Sequence, residues 1–231
     1  MPGDRLARIL AELSAEADGA WASARLCDVT REIVGMSGAG VMLMSGDLSV
    51  GSLCTTDDVS NLIEELQFTL GEGPCVDAHH LGRVVLEPDL AQPEAPRWFA
   101  FAPQALAAGV RAMFAFPLRV GGARLGALNL YRDAPGALKD DQHSDALVMA
   151  DVIAKWVLDV QADAPPGSVA QELERDADLK SVVHNAAGAV SVQLGISVTE
   201  ALIRLRAHAF SQDRLLREVS EDVMARRLRF S

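Results

Sequence analysis

The stretch GPCVDAHHLG, Gly73 to Gly82, holds the chain's main concentration of groups able to do chemistry: Cys75, Asp77, His79 and His80. On a short helix Cys75 and His79 stand at i and i+4 on one face, where a thiol and an imidazole can act as nucleophile and base or as two metal ligands. Two protein ligands do not make a zinc site, and a lone buried cysteine behaves as a small hydrophobe. The sequence therefore favours pocket lining for this cluster and gives no catalytic residue and no metal ligand. Trp98, Phe114, Phe116 and Asn129 are candidates to line the same cavity as Cys75 and His79, with apolar core as the default for the aromatics. A second set is polar and cationic: Arg204, Arg206, His208, Gln212 and Arg214 flank an apolar stripe of Ala201, Leu202, Leu205 and Ala209. The stripe has the spacing that packs helices together. Its arginines can fork onto phosphate, stack on unpaired bases, or form a solvated face. Arg226-Arg227-Leu228-Arg229 suits a helix C-terminus, where cations complement the dipole.

These groups must be positioned by 231 residues, 49% hydrophobic and 23% charged, which are ordinary globular values. That length holds one large domain, or a medium one and a small one. No apolar run reaches the roughly 20 residues a membrane span needs. The opening MPGDRLARILAEL is amphipathic and lacks a signal core, so a soluble cytoplasmic protein with no membrane partner is expected. Cys27, Cys54 and Cys75 are odd in number and widely spaced, which argues against a disulfide framework and structural zinc. The net charge of −11 belongs to residues 1–167, since residues 168–231 balance to zero. Within that tail, Lys180 to Ser231 carries 8 basic against 5 acidic residues, compatible with a polyanion partner.

Apolar spacing at Leu6, Ile9, Leu10, Leu13, Leu26, Val29 and Ile33 predicts helix over Arg5 to Val34, broken near Gly19. Residues 40–55 read as a hairpin, and Asp57 as the N-cap of a helix with Val59, Leu62, Ile63, Leu66 and Leu70 on one face, ending at Gly71. A short helix and a strand 83–86 follow, stopped by Pro88; then comes a helix around Trp98 to Ala107. Two strands meet at Gly121-Gly122, and a long helix runs from Asp140 to Val160. Pro165-Pro166 breaks the chain. Three helices are expected beyond it, about 169–193, 197–210 and 214–228, the second opened by a capping box at Ser197-Val198-Thr199-Glu200. The layout is α+β, an antiparallel sheet with flanking helices followed by a small helical unit.

The tail VVHNAAGAVSVQLGISVTEALIRLRAHAFSQDRLLREVSEDVM resembles the ANTAR domain, the RNA-binding output module of bacterial transcription antitermination regulators. The resemblance rests on Ala186 and Gly188, Gly195 and Ile196, Glu200 and Ala201, Leu205 and Arg206, Ala209, then Leu216, Val219 and Val223. It departs at Ala187, Ser191 and Asp213, where lysine, methionine and asparagine are common in that family. Upstream, LQFTLGEGPCVDA, EPDL and the stretch from AFAPQAL to GALNLY, with the closing long helix, resemble a GAF sensor domain of the actinobacterial kind paired with ANTAR. That resemblance implies a six-stranded-class sheet with a ligand pocket on one face, and flanking helices that often pair two chains. The expected division is a GAF-like domain at 1–163, a linker at 164–168 and an ANTAR-like three-helix domain at 169–231.

Together the resemblances imply a non-enzymatic antitermination regulator, a homodimer, that senses a small molecule or redox change and binds an RNA stem-loop in a nascent transcript. Its ligand and any cofactor are unnamed by the sequence. RNA contacts would fall to Arg204, Arg206, His208, Gln212 and Arg214. The alternatives are a DNA-binding helix-turn-helix regulator and a GAF-like cysteine-dependent reductase.

Overall fold

The hydrophobic alternation on either side of each glycine-marked turn becomes two antiparallel hairpins, β1 (Gly38–Ser45) with β2 (Leu48–Thr55) and β4 (Ala112–Val120) with β5 (Ala123–Arg132). The computed structural model describes residues 2–14, 23–45, 48–162, 177–212 and 214–231. The proposed break at Gly19, the linker 164–168, the expected helical residues 169–176, and Asp213 lie outside the described residues. Pairing β1 with β5 joins the hairpins, and β3 (Val85–Glu87) adds an edge, giving the order β2-β1-β5-β4-β3. The sheet among the described residues thus has five strands, where a six-stranded layout was expected. Pro88, Pro93 and Pro96 punctuate the segment after β3 and remove donors that a further strand would use.

Strand alternation divides the chain's interior into two layers. On one face Val41, Leu43, Phe114, Phe116, Leu128 and Leu130 pack against α1 (Pro2–Ser14), α2 (Ser23–Val34) and α6 (Asp140–Ala162) through Ile9, Leu26, Met149 and Ile153. Asp145 of α6, 6% exposed, receives Arg8 Nη2 at 2.8 Å and pairs with Arg5, fastening α1 to α6. The expectation of no disulfide fails in this layer. Cys27 of α2 and Cys54 of β2 are bonded, with Cα atoms 5.9 Å apart. The two residues are 27 apart in sequence and meet only because α2 lies over the edge strand. Cys75 stays outside the bridge, on the other side of the sheet.

That other side is covered by α3 (Asp58–Leu70) and α4 (Pro74–Leu81), with α5 (Phe101–Ala107) following a loop. Asp57 is the N-cap of α3 as the sequence predicts, its Oδ1 accepting the Ser60 amide at 2.7 Å. The expected face is buried at Ile63 and Leu66 but not at Leu62, and the buried surface extends instead to polar side chains. Leu62 is 40% exposed, while Ser60, Ile63, Glu64 and Gln67 are 1–2% exposed.

By compactness the chain divides into Met1–Gln67 with Glu72–Arg175, and Phe68–Gly71 with Asp176–Ser231. The second unit contains α7 (Ala177–Leu194), α8 (Val198–Ser211) and α9 (Leu216–Met224). Val183, Ala186, Ala187 and Val190 of α7 pack with Ala201, Leu202, Leu205 and Ala209 of α8 and Val219 and Val223 of α9, all buried. The capping box forms, with Ser197 Oγ accepting the Glu200 amide and Glu200 Oε2 accepting the Ser197 amide. These hydrogen bonds, the backbone one first, hold the Glu200 carboxyl below its ordinary pKa.

Candidate functional site

The glycine–proline turn before α4 puts Cys75 in the first turn of that helix, where its amide donates to Gln67 Oε1 at 2.7 Å. The helix ends in a left-handed Gly82, and Arg124 donates to the carbonyl of His80 while Arg119 donates to that of Gly82. Cys75 and His79 are 1% and 3% exposed, so the thiol and imidazole lie inside the fold. Among the described residues no group of three His, Cys, Asp or Glu side chains could hold a metal ion. Asp77 accepts the indole N–H of Trp98 at 3.0 Å. Trp98 has φ +56, a conformation costly for a bulky residue, and is stacked under the Arg97 guanidinium at 4.0 Å. Arg97 in turn donates to Glu87 at 3.2 Å. Glu72 accepts the amides of Ala100 and Phe101, fixing the start of α5.

Asn129 of β5 reaches the same side through α3, its Nδ2 donating to Glu64 Oε1 at 2.6 Å. Glu64 and Gln67 are one turn apart, so α3 links Asn129 to the Cys75 end of α4. The structure therefore brings Cys75, His79, Trp98 and Asn129 to one side of the sheet. Phe114 and Phe116 need correcting as pocket residues. Ala115, not either phenylalanine, is paired across from Asn129, while Phe114 and Phe116 sit opposite Leu130 and Leu128 and face α6. The Phe116 ring meets His143 of α6 edge-on at 5.5 Å.

At the other end of α3, Tyr131 Oη donates to the Asp57 carboxylate at 3.0–3.1 Å. Burial, then this hydrogen bond and the nearby negative charge, push the Tyr131 pKa up to about 12. Burial raises the Asp57 pKa, but hydrogen bonds from Ser60, Tyr131 and Thr56 outweigh it and hold the carboxyl below its ordinary value. Glu64, Gln67 and Asp57 were missed as site residues because acidic and amide side chains on an amphipathic helix read as its wet face. Asp57 alone carried a signal, as a cap.

The candidate cationic set separates in the three-helix unit. Arg204 and Gln212 are exposed. His208 is half-buried, its ring edge-on to Phe230 at 5.3 Å. Arg214 binds Asp222 at 2.7 Å and lies 3.7 Å from Glu218; the hydrogen bond to Asp222 raises its pKa and lowers that of its partner. Arg206 is corrected from a surface contact to a half-buried one. Its Nη2 donates to the Phe68 carbonyl at 2.6 Å, and desolvation lowers its pKa to about 10, leaving it charged at neutral pH. Two positions that depart from the ANTAR pattern have structural roles: Ala187 is fully buried, and Ser191 Oγ donates to the Ile196 carbonyl at 2.6 Å across the α7–α8 turn. Ile203 and Phe210, 57% and 68% exposed, are apolar side chains that reading by charge passed over.

Residues 22–154, more than half of the chain, match the GAF domain family. The chain belongs to that family. Among solved structures it is similar to the GAF domain of a phosphoenolpyruvate-protein phosphotransferase from Coxiella burnetii, with a TM-score of 0.53, 14% identity, and coverage of 69% of this chain and 96% of that one. It is also similar to the GAF domain of the Acinetobacter phosphoenolpyruvate-protein phosphotransferase, with a TM-score of 0.50, 10% identity, and coverage of 71% and 96%. At such identities the likeness is one of fold. No curated protein sequence matches the chain significantly. The GAF domain is a small-molecule or signal-sensing module, and the side of its sheet under α3 and α4 carries the buried polar groups described above. No single helix among the described residues is long and apolar enough to cross a membrane.

Proposed function

We propose that this GAF protein is a transcription antitermination regulator: a sensor whose C-terminal three helices bind an RNA hairpin and are biased by a ligand held under α3 and α4. The observation that carries the RNA reading is the division of α8. Its resemblance-bearing Ala201, Leu205 and Ala209 are buried in the bundle, while Arg204, Gln212 and Phe210 face outward. A helix that offers both a guanidinium for phosphate and an exposed ring for an unpaired base suits looped RNA better than a duplex groove. Arg214 is a weaker contact than the sequence suggests, because Asp222 already neutralises it. Coupling requires that the ligand bind one arrangement of the protein better than another.

Cys27 and Cys54 lie in the layer of α1, α2 and α6 and Cys75 on α4, with the sheet between, an arrangement unsuited to a cysteine relay. The test is selection of transcripts bound by the full chain from RNA of its own host. Enrichment of leaders that fold into stem-loops is expected; recovery indistinguishable from total RNA refutes the output assignment.

A further inference from the structure

Two side-chain amides under the sheet are each half used. Gln67, 1% exposed, accepts the Cys75 amide at Oε1, and Asn129, 3% exposed, donates from Nδ2 to Glu64. The Cys75 amide can only donate, which fixes the Gln67 orientation; with Glu64 as a carboxylate the Asn129 orientation is fixed as well, because reversal would set carbonyl against carboxylate. Gln67 Nε2 is a buried donor and Asn129 Oδ1 a buried acceptor, and neither has a hydrogen-bond partner among the described residues. Buried amides are rarely left so, since each lost bond is costly.

The local sequence makes space for this arrangement. The residues paired with Asn129 on its two sides are Gly40 of β1 and Ala115 of β4, the smallest available. A Cβ at Gly40 would come within 2.6 Å of Glu64 Oε1, and one at Gly73 within 2.7 Å of Gln67 Oε1. Both polar side chains thus lie directly on glycine backbone. Glu64 and Gln67 are separated by about 4.5 Å along α3. The acidic side chains of these elements are engaged elsewhere or with the amides themselves: Glu64 is hydrogen-bonded to Asn129, while Glu72 and Asp77 hold the adjoining turn and helix.

We infer that this site takes a small molecule of the amide class, a carboxamide, urea or lactam, whose N–H meets Asn129 Oδ1 and whose carbonyl meets Gln67 Nε2. These groups carry a donor and an acceptor on one edge and no charge. A carboxylate or phosphate would supply acceptors only and would face Glu64. The inference rests on the sensing role proposed above and adds the chemical class of its ligand.

The experiment titrates the full-length protein with acetamide, N-methylurea, 2-pyrrolidone and nicotinamide, and with acetate and nicotinate as acid counterparts. Melting temperature and the 15N side-chain amide signals are followed, with the Gln67 signal identified by its loss in Gln67→Met. At least one amide should raise the melting temperature saturably and shift the Gln67 and Asn129 signals. Acetate and nicotinate should bind at least tenfold more weakly than that amide, and Gln67→Met should bind it at least tenfold more weakly than the unmodified protein. If Gln67→Met does not fold, the amide–acid pairs decide on the unmodified protein. An acid binding as tightly as its amide overturns the amide class while leaving small-molecule sensing in place. Silence from every amide, with the Gln67 signal unmoved, overturns the inference and leaves a bridging water as the occupant. RNA affinity of the ligand-free chain is measured separately, so failure of the output reading is distinguishable from either result.

Discussion

Reducing the Cys27–Cys54 bond isolates the contribution of a single long-range tie between α2 and β2. The bond joins residues 27 apart in sequence. Holding a loop of that length closed in the unfolded chain removes about 12 cal/mol/K of entropy, or about 3.5 kcal/mol at 25 °C. For a unit of this size each kcal/mol moves the midpoint by about 2–4 °C, so the oxidised protein should melt about 7–14 °C above the reduced one. Trp21, Trp98 and Trp156 all precede residue 163, so tryptophan fluorescence reports on the sensor domain. The full chain would be melted with and without a dithiol, and Cys27→Ala, which cannot form the bridge, should be indifferent to reductant. Midpoints within about 2 °C of one another would refute the entropic reasoning. Three titratable thiols in the unreduced, unfolded chain would refute the bond itself.

Asp57→Ala should cost about 1–2 kcal/mol through loss of the α3 cap. Because the folded pKa of Asp57 lies below its ordinary value of 3.8, its contribution is complete above that pH and is lost as pH falls through the folded value. Acid titration of the variant's stability should therefore be flatter below pH about 4. Ser197→Ala should destabilise α8 by about 1 kcal/mol, seen as lowered helicity at elevated temperature. Arg204→Ala should leave the melting curve unchanged while lowering the salt slope of RNA binding by about one, whereas Arg206→Ala should lower stability, because its guanidinium holds the Phe68 carbonyl. Leu6, Leu10 and Leu147 are 38%, 38% and 44% exposed; for the homodimer that the GAF resemblance implies, paired through its flanking helices, Leu147→Glu should convert a dimer to a monomer in light scattering.

The hairpins, the Asp57 cap, the Gly121-Gly122 turn and the Ser197 capping box were legible because each is written within a few residues. The disulfide was not, since spacing along the chain carries no record of which helix lies over which strand. Phe114 and Phe116 were set beside Asn129 without a register; pairing Ala115 with Asn129 turns both rings to the opposite layer. Glu64 and Gln67 were hidden by composition, because the apolar count of α3 pointed to the face containing Leu62. The apolar spacing around Trp98 predicts helix, and nothing local to it encodes its positive φ or its indole hydrogen bond to Asp77, a residue 21 positions away.

The central claim, a GAF sensor with an RNA-binding output, is tested most directly by fluorescence anisotropy of the full chain against a stem-loop RNA and a duplex DNA of equal length, across a series of salt concentrations. Tighter binding of the stem-loop is predicted, weakening linearly in log affinity against log salt as phosphate contacts release counterions. Equal affinity for both nucleic acids, or binding of neither at low salt, would contradict it.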